Sequence, residues 1–342
     1  MSGIAIVGTG AVSPAGWNVT ALRESMKCGE PVAARELQRP GWRKPLQVRT
    51  VPRPVPALVE LRNPRMRRAS ANSQFVVSAA AEAFQQAALN PEKIRRIGII
   101  FCTTCGSVNY SRRYYSEVLE EPALASPLVF PETVFNAPAS HLSAVWGNAA
   151  VNYTLVGDAG VFVQGLARAA ELLANNSVDA CLVAASEETD WLTSDVLRHF
   201  SSCAVTGEGA GAMVLVRAGE SRSPVNLAAI TTPGNYTRHF PREVRARQMA
   251  SELMSRTSHG LLVDGCQSVS RMDAAEIAAW SDWQGARLSP KRFLGEGFSA
   301  ATAWQCIAAV EAVRAGADCA LVSVAGLYQY SIGMSFIGNR IP

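Results

Sequence analysis

The 342-residue sequence holds no apolar run approaching the ~20 residues that a membrane-spanning helix requires. Its opening, MSGIAIVGTG, is strand-like and has no basic leader, so no signal peptide is expected and the cytoplasm is the expected compartment. Lysine is confined to Lys27, Lys44, Lys93 and Lys291, and the four histidines (His141, His199, His239, His259) lack the spacing of a metal-ligand set. GxxxxGK[ST], HExxH and GxSxG patterns are all missing, which leaves phosphoryl transfer, zinc proteolysis and the serine hydrolase elbow without a motif. A single CxxC, Cys102 to Cys105, has no second copy. The other cysteines (Cys28, Cys181, Cys203, Cys266, Cys306, Cys319) are scattered, several inside apolar runs where a free thiol acts as a small hydrophobe. Neither a disulfide framework nor a metal site is expected.

What is present is a chain 48% hydrophobic and 18% charged, with mean hydropathy +0.08, able to bury a large core. Its length fits two folding units or one continuous α/β body. The cations are nearly all arginine, suited to bidentate grip on carboxylate or phosphate. They concentrate between Arg35 and Arg68, where ten Lys/Arg face only Glu36 and Glu60. That stretch reads either as a solvated, proline-broken loop or as a dock for an acidic partner; no aromatic interleaving supports nucleic acid.

Continuous apolar runs, the mark of strands buried on both faces, recur at Ile4–Val7, Ile97–Cys102, Ala180–Ala185, Ala212–Val216 and Ala320–Ala325. Helical patterns separate them: Ser73–Leu89 is alanine-rich with an apolar stripe, and Val163, Leu166, Ala170 and Leu173 keep helical spacing. Such alternation predicts parallel sheets covered on both faces. ARAAELLANNSVDACLVAAS around Asp179 and IAAVEAVRAGADCALVSVA around Asp318 repeat one order of helix, small-residue turn, Asp and buried strand, about half a chain apart. The expected organisation is therefore two similar halves, 1–217 and 225–342, with a seam in the Gly/Ser/Pro-bearing stretch Ala218–Pro224. Gly8-Thr9-Gly10 follows a strand, but the third glycine of a dinucleotide fingerprint would fall at Ser13 and Pro14 disturbs the helix start, so NAD binding is not expected.

Six segments then carry a resemblance, in order, along nearly the whole chain: IAIVGTGAVSPAGWNV, PRMRRASANSQFVVSAAAEAF, FNAPASHLSAVWG, VNYTLVGDAG, TGEGAGAMVLV and SPKRFLGEGFSAATAWQ. They resemble the β-ketoacyl-acyl carrier protein synthases. The resemblance implies a thiolase-like, five-layer αβαβα fold made of two similar halves. The catalytic residues do not follow. A ketosynthase needs a cysteine thiolate at a helix N-terminus, and in VNYTLVGDAG that position is Ala159. The two histidines that would support decarboxylation and the enolate oxyanion align with Gly265 and Glu296; the glutamate expected in the next helix is Gln305, and only the lysine is retained, as Lys291. The glycine-rich oxyanion loop is poorly matched in SVAGLYQYS, and no histidine neighbours Cys105 or Cys266 in sequence to make either a substitute nucleophile. The chain is also trimmed between Glu188 and Gly207, and over its last roughly forty residues, relative to the family.

A ketosynthase body without its catalytic residues is similar to the chain-length factors, silent partners of active ketosynthases in type II polyketide and aryl-polyene systems. The resemblance implies a heterodimer with an active ketosynthase, an acyl carrier protein as second partner, and no cofactor of its own, phosphopantetheine arriving on the carrier. It places the tunnel gate at Val108, Ser111 and Tyr115, with Phe130 as a fourth position, and carrier docking at Arg62, Arg65, Arg67 and Arg68. Nucleic-acid and membrane partners are not expected. The alternatives are a residual malonyl-carrier-protein decarboxylase and a non-enzymatic, acyl-binding scaffold homodimer.

Overall fold

The computed structural model describes residues 3–148, 150–220, 223–257 and 259–338. Ten strands build its main sheet: β1 (Ile4–Val12), β2 (Gly98–Thr103), β3 (Asn152–Val156), β4 (Ala180–Glu187), β5 (Gly209–Arg217), β6 (Val225–Ile230), β7 (Leu261–Val263), β8 (Ala286–Leu288), β9 (Cys319–Ala325) and β10 (Tyr330–Gly338). Their order is β8-β7-β9-β10-β6-β1-β5-β4-β2-β3, with the two-residue strand Gly234–Asn235 added on β10. The first five strands and the last five repeat one topology. In each set the fifth strand runs antiparallel to the first and the fourth on either side of it, and the fourth, second and third pair in parallel. The sets meet where β1 pairs with β6 over only Ile4↔Leu227 and Ala5↔Asn226.

The principal helices are α1 (Val19–Cys28), α2 (Ala71–Ala87), α3 (Val108–Glu120), α4 (Ala137–Trp146), α5 (Val161–Ala174), α6 (Trp191–Arg198), α7 (Arg242–Met254), α8 (Ser270–Ala279) and α9 (Phe298–Arg314). Helices α5 and α9 touch strands of both sets, whereas α2 and α4 cover the outer face of the first and α7 and α8 that of the second. The result is the five-layer αβαβα thiolase-like architecture. Helix α9 is buried at every position from Phe298 to Val310, as a helix apolar all round must be. Asp179 and Asp318 stand just before the equivalent strands β4 and β9, each preceded by a central helix.

Gly8 and Gly10 have a packing role. A Cβ at Gly8 would lie 2.1 Å from the Ala83 carbonyl oxygen, and one at Gly10 1.9 Å from that of Ala79. Only glycine lets the alanine-lined face of α2 lie this close on β1. The next helix, α1, begins beyond Pro14, with the Asn18 side chain accepting from Ala21 N–H at 2.7 Å.

Candidate functional site

The chain leaves β3, turns at Gly157-Asp158-Ala159-Gly160 and enters α5. Ala159, expected from the sequence at the nucleophile position, is buried within the central core and presents only an apolar methyl there. Asp158 is fully buried beside it. One carboxylate oxygen accepts from Ala159 N–H at 2.8 Å, and the other from Tyr328 and Gln329 N–H at 3.2 and 3.0 Å. The Asp158 N–H in turn donates to Gln329 Oε1 at 3.1 Å.

On the other side of the site, the degenerate positions gather around a set of carboxylates. Gly265 N–H donates to Glu276 Oε1 at 3.0 Å, and a Cβ at 265 would come within 2.8 Å of Glu276 Oε2. Any side chain at 265 would therefore have to displace the Glu276 carboxyl, which comes from α8. Burial pushes the Glu276 carboxyl up to about 7, aided by Asp264 and opposed by bonds from Ser323 and Gly265 and by Lys291. Asp264 is raised as well, chiefly by burial, although Ser289 Oγ (2.6 Å) and Cys266 N–H (3.1 Å) donate to it.

Lys291 and Glu296 form a buried ion pair at 2.8 Å, and Glu296 also accepts from Phe298 N–H at 2.8 Å. A carboxylate held this way cannot donate to a developing enolate. Gln305 donates to the Ser323 carbonyl at 3.0 Å, tying its amide into the core. The structure thus brings Gly265, Glu296 and Lys291 together, but as a self-satisfied network. Cys105 and Cys266 have thiols raised strongly, first by burial and then by neighbouring carboxylates, which disfavours the nucleophilic thiolate.

Glu187, at the end of β4, is a residue that sequence reasoning missed. It accepts from Thr104 N–H (2.5 Å), Cys105 N–H (3.1 Å) and Ser299 Oγ (2.5 Å), and burial raises its carboxyl to about 7. Only a glutamate pair at a strand end hints at it in the sequence. Nearby opens an apolar pocket of about 420 Å³ lined by Cys105, Leu192, Val196, Phe200, Phe298 and Tyr328.

The expected gate residues stand elsewhere. Val108 and Ser111 are half-buried on α3, with Ser111 Oγ donating to the carbonyls of Ser107 (3.1 Å) and Thr133 (3.4 Å), whereas Tyr115 is 65% and Phe130 51% exposed. Leu119, Leu124, Leu128, Val134 and Phe135, in the same stretch of chain, are exposed as well. Buried Glu132, in the turn with Phe130, accepts from Ser70 N–H at 2.8 Å and meets His141 Nε2 at 2.5 Å. Burial alone would raise the Glu132 carboxyl, but the bonds from His141 and Ser70 outweigh it and hold the carboxyl below its ordinary value. β3 is the terminal strand of the sheet, with Tyr153 and Val156 exposed.

Arg62, Arg65, Arg67 and Arg68 lie along two short 3₁₀ turns, anchored by buried Met66 and by Gln74 Nε2 donating to the Met66 and Ala69 carbonyls; all four arginines are exposed. The Arg68 carbonyl accepts from the Tyr110 hydroxyl at 2.7 Å, which sets the patch beside α3. Two other arginines of the basic stretch are engaged locally: Arg39 pairs with Asp195 at 2.8 Å and Arg49 donates to the Val32 carbonyl at 2.7 Å.

Residues 41–259, more than half of the chain, match the beta-ketoacyl synthase N-terminal domain. The chain belongs to the beta-ketoacyl synthase family. No curated protein matches it in sequence. Among solved structures, the ishigamide ketosynthase/chain length factor is similar at TM-score 0.83 and 17% identity, over 98% of this chain and 99% of that one. A beta-ketoacyl synthase from Burkholderia phymatum STM815 gives 0.83 and 17% over 99% and 100%. The ketosynthase ApeO in complex with its chain length factor ApeC, from Xenorhabdus doucetiae, gives 0.80 and 14% over 98% of each chain. At these identities the likeness establishes the fold. Among the described residues no helix is long and apolar enough to cross a membrane.

Proposed function

We propose that this protein is a chain-length-factor-like subunit that pairs with an active β-ketoacyl synthase and shapes the end of its acyl tunnel in polyketide or polyene biosynthesis. The observation that carries the reading is a contrast within one molecule. The position expected for the nucleophile is a buried alanine, while Tyr115 and Phe130, the expected gate residues, are exposed, as are Tyr153 and Val156 on the terminal strand β3. Large apolar side chains exposed in this number are unfavourable in water and favour a partner that covers them. A terminal strand offers that partner unpaired backbone groups as well. Arg62, Arg65, Arg67 and Arg68, on the turns next to α3, would receive the acidic carrier protein that delivers the phosphopantetheine-bound chain.

Coexpression with a ketosynthase that retains its cysteine and both histidines tests this, using size analysis of the complex and the product chain length. A stable 1:1 heterodimer whose products change in length with gate bulk is expected. A clean homodimer that ignores the ketosynthase would instead favour the scaffold alternative.

A further inference from the structure

Three backbone N–H groups from two distant parts of the chain converge on one buried side chain. Ala159 N–H lies 2.8 Å from Asp158 Oδ1, and the N–H groups of Tyr328 and Gln329 lie 3.2 and 3.0 Å from Oδ2. Asp158 has no solvent exposure, and it takes part in none of the ion pairs among the described residues. Its charge is met by backbone donors, as a bound anion's is in a backbone cradle. The fit is tight: a Cβ at Gly326 would lie 2.1 Å from Oδ2, so only glycine leaves room for the oxygen. The loop is held from its far side too, where the Tyr236 hydroxyl donates to the Gly326 carbonyl at 2.9 Å and Gly326 N–H to the Tyr330 carbonyl at 3.1 Å.

We propose that Asp158 is a built-in occupant of an anion cradle formed by the N–H groups of Ala159, Tyr328 and Gln329, a carboxylate that closes this hole to outside anions and locks the 326–329 loop onto the turn before α5. The proposal rests on the silent-subunit reading only for its biological sense, since the cradle and its occupant are defined by the atoms themselves. It assigns two properties to one side chain: exclusion of carboxylate- or oxyanion-bearing groups from the cradle, and immobilisation of the loop that carries Tyr328 into the apolar pocket. Removing the side chain leaves the donors in place without their acceptor. Such a site takes a small carboxylate such as formate or acetate.

The experiment uses the full chain without any partner, so its outcome is separate from the pairing test above. In Asp158→Ala, amide hydrogen exchange across 326–329 should rise at least tenfold, and added formate or acetate should slow it again and raise Tm. The same concentrations of chloride should not, and the unmodified protein should respond to none of them. Gly326→Ala supplies a second route: its methyl clashes with Oδ2, so the same loop should open with Asp158 still present. Unchanged exchange at 326–329 in both variants overturns the lock. An identical response to acetate in Asp158→Ala and the unmodified protein overturns the cradle. If Asp158→Ala does not fold, Gly326→Ala alone decides the lock, and Asp158→Gly under formate titration decides the cradle: formate-dependent recovery of soluble protein supports it and no recovery overturns it.

Discussion

The interior around Asp158 and Glu276, where the sequence places the expected reaction centre, and the outer edge of the molecule are built on opposite terms. Inside, charged groups have found partners within the chain: Asp158 its three N–H groups, Glu296 its Lys291, and Glu276 the N–H of Gly265. At the edge, Tyr115, Leu119, Leu124, Leu128, Phe130, Tyr153 and Val156 stand exposed to water. Buried polar groups are stable only when satisfied, and exposed apolar groups are tolerated in numbers only where a partner covers them. The difference teaches that, on the reading proposed above, the interior is closed upon itself while the edge is left as a surface to be matched.

The comparison is broken most severely at the edge. Val156 is half-exposed in the free subunit, so Val156→Asp should fold normally; buried against a partner strand, the unpaired carboxylate should weaken the ketosynthase complex by 100-fold or more, about 3 kcal/mol. Pull-down or size analysis reads this directly. An intact complex would move the interface away from β3.

Next in size is an effect on the product. Tyr115 and Ser111 lie one helical turn apart on α3. If the ring of Tyr115 fills the tunnel end, Tyr115→Ala in the reconstituted complex should shift products toward chains longer by at least one two-carbon unit, and Ser111→Phe should shorten them or stop turnover. Wild-type lengths from both intact complexes would remove α3 from the tunnel wall.

A smaller change is expected in stability against pH. Glu82, Glu187, Glu188 and Glu276 are each raised by burial to about 7, whereas an unfolded glutamate titrates near ~4.3. Between those values the folded state binds more protons than the unfolded one, so stability falls as pH rises through the window and the cost is complete above about 7. Glu132 works the other way: its lowered carboxyl adds stability above the unfolded value, and that contribution is lost only as pH falls through its folded value. Tm should accordingly be higher at pH 5.5 than at pH 8, by roughly 5 °C. Glu276→Gln, which replaces repulsion from Asp264 with an amide donor, should flatten the slope. A Tm that climbs steadily to pH 8 would contradict these assignments.

Smaller again is charge reversal at Arg65 and Arg68. Both are exposed and contribute to none of the ion pairs among the described residues, so their loss should leave folding unchanged and lower the carrier-protein association rate by about 5- to 10-fold at low salt, with little effect at high salt. Rates equal to wild type at low salt would leave the patch as a solvated turn.

Much of the fold was legible because buried strands write themselves as short apolar runs. Each of the five runs read from sequence coincides with a strand, β1, β2, β4, β5 or β9. β6 and β10 escaped that reading, since β6 alternates in burial and β10 carries serine and glycine among its apolar residues. β7 and β8, at three residues each, are too short to carry a period. In the expected site, the motifs pointed to Ala159, Gly265 and Glu296, but the groups packed against them were invisible. Asp158 and its loop donors are about half a chain apart in sequence, and the glutamate that fills the space at Gly265 comes from the following helix. Such compensations depend on tertiary approach, for which a single sequence has no local signal.

The smallest expected effect is none at all, from restoring the nucleophile alone. In Ala159→Cys the new thiol would lie in the buried core next to the Asp158 carboxylate, an environment of the kind that already drives the Cys102 and Cys105 thiols far above their ordinary range. The thiolate fraction at neutral pH would be negligible. No imidazole stands at Gly265 to assist it, and Glu276 lies against that position. Lys291 is committed to Glu296, so no free cation is left in that pair to draw a thiolate or steady an enolate. Catalytic groups that act as a unit give almost nothing back when one is returned without the others. Incubated with an acyl carrier protein or acyl-coenzyme A, both the unmodified protein and Ala159→Cys should keep their intact masses, and Ala159→Cys should form no condensation product with a malonyl donor. An acyl adduct on the thiol introduced by Ala159→Cys, followed by carbon–carbon bond formation, would mean that the interior is not closed and that the contrast with the edge is one of degree.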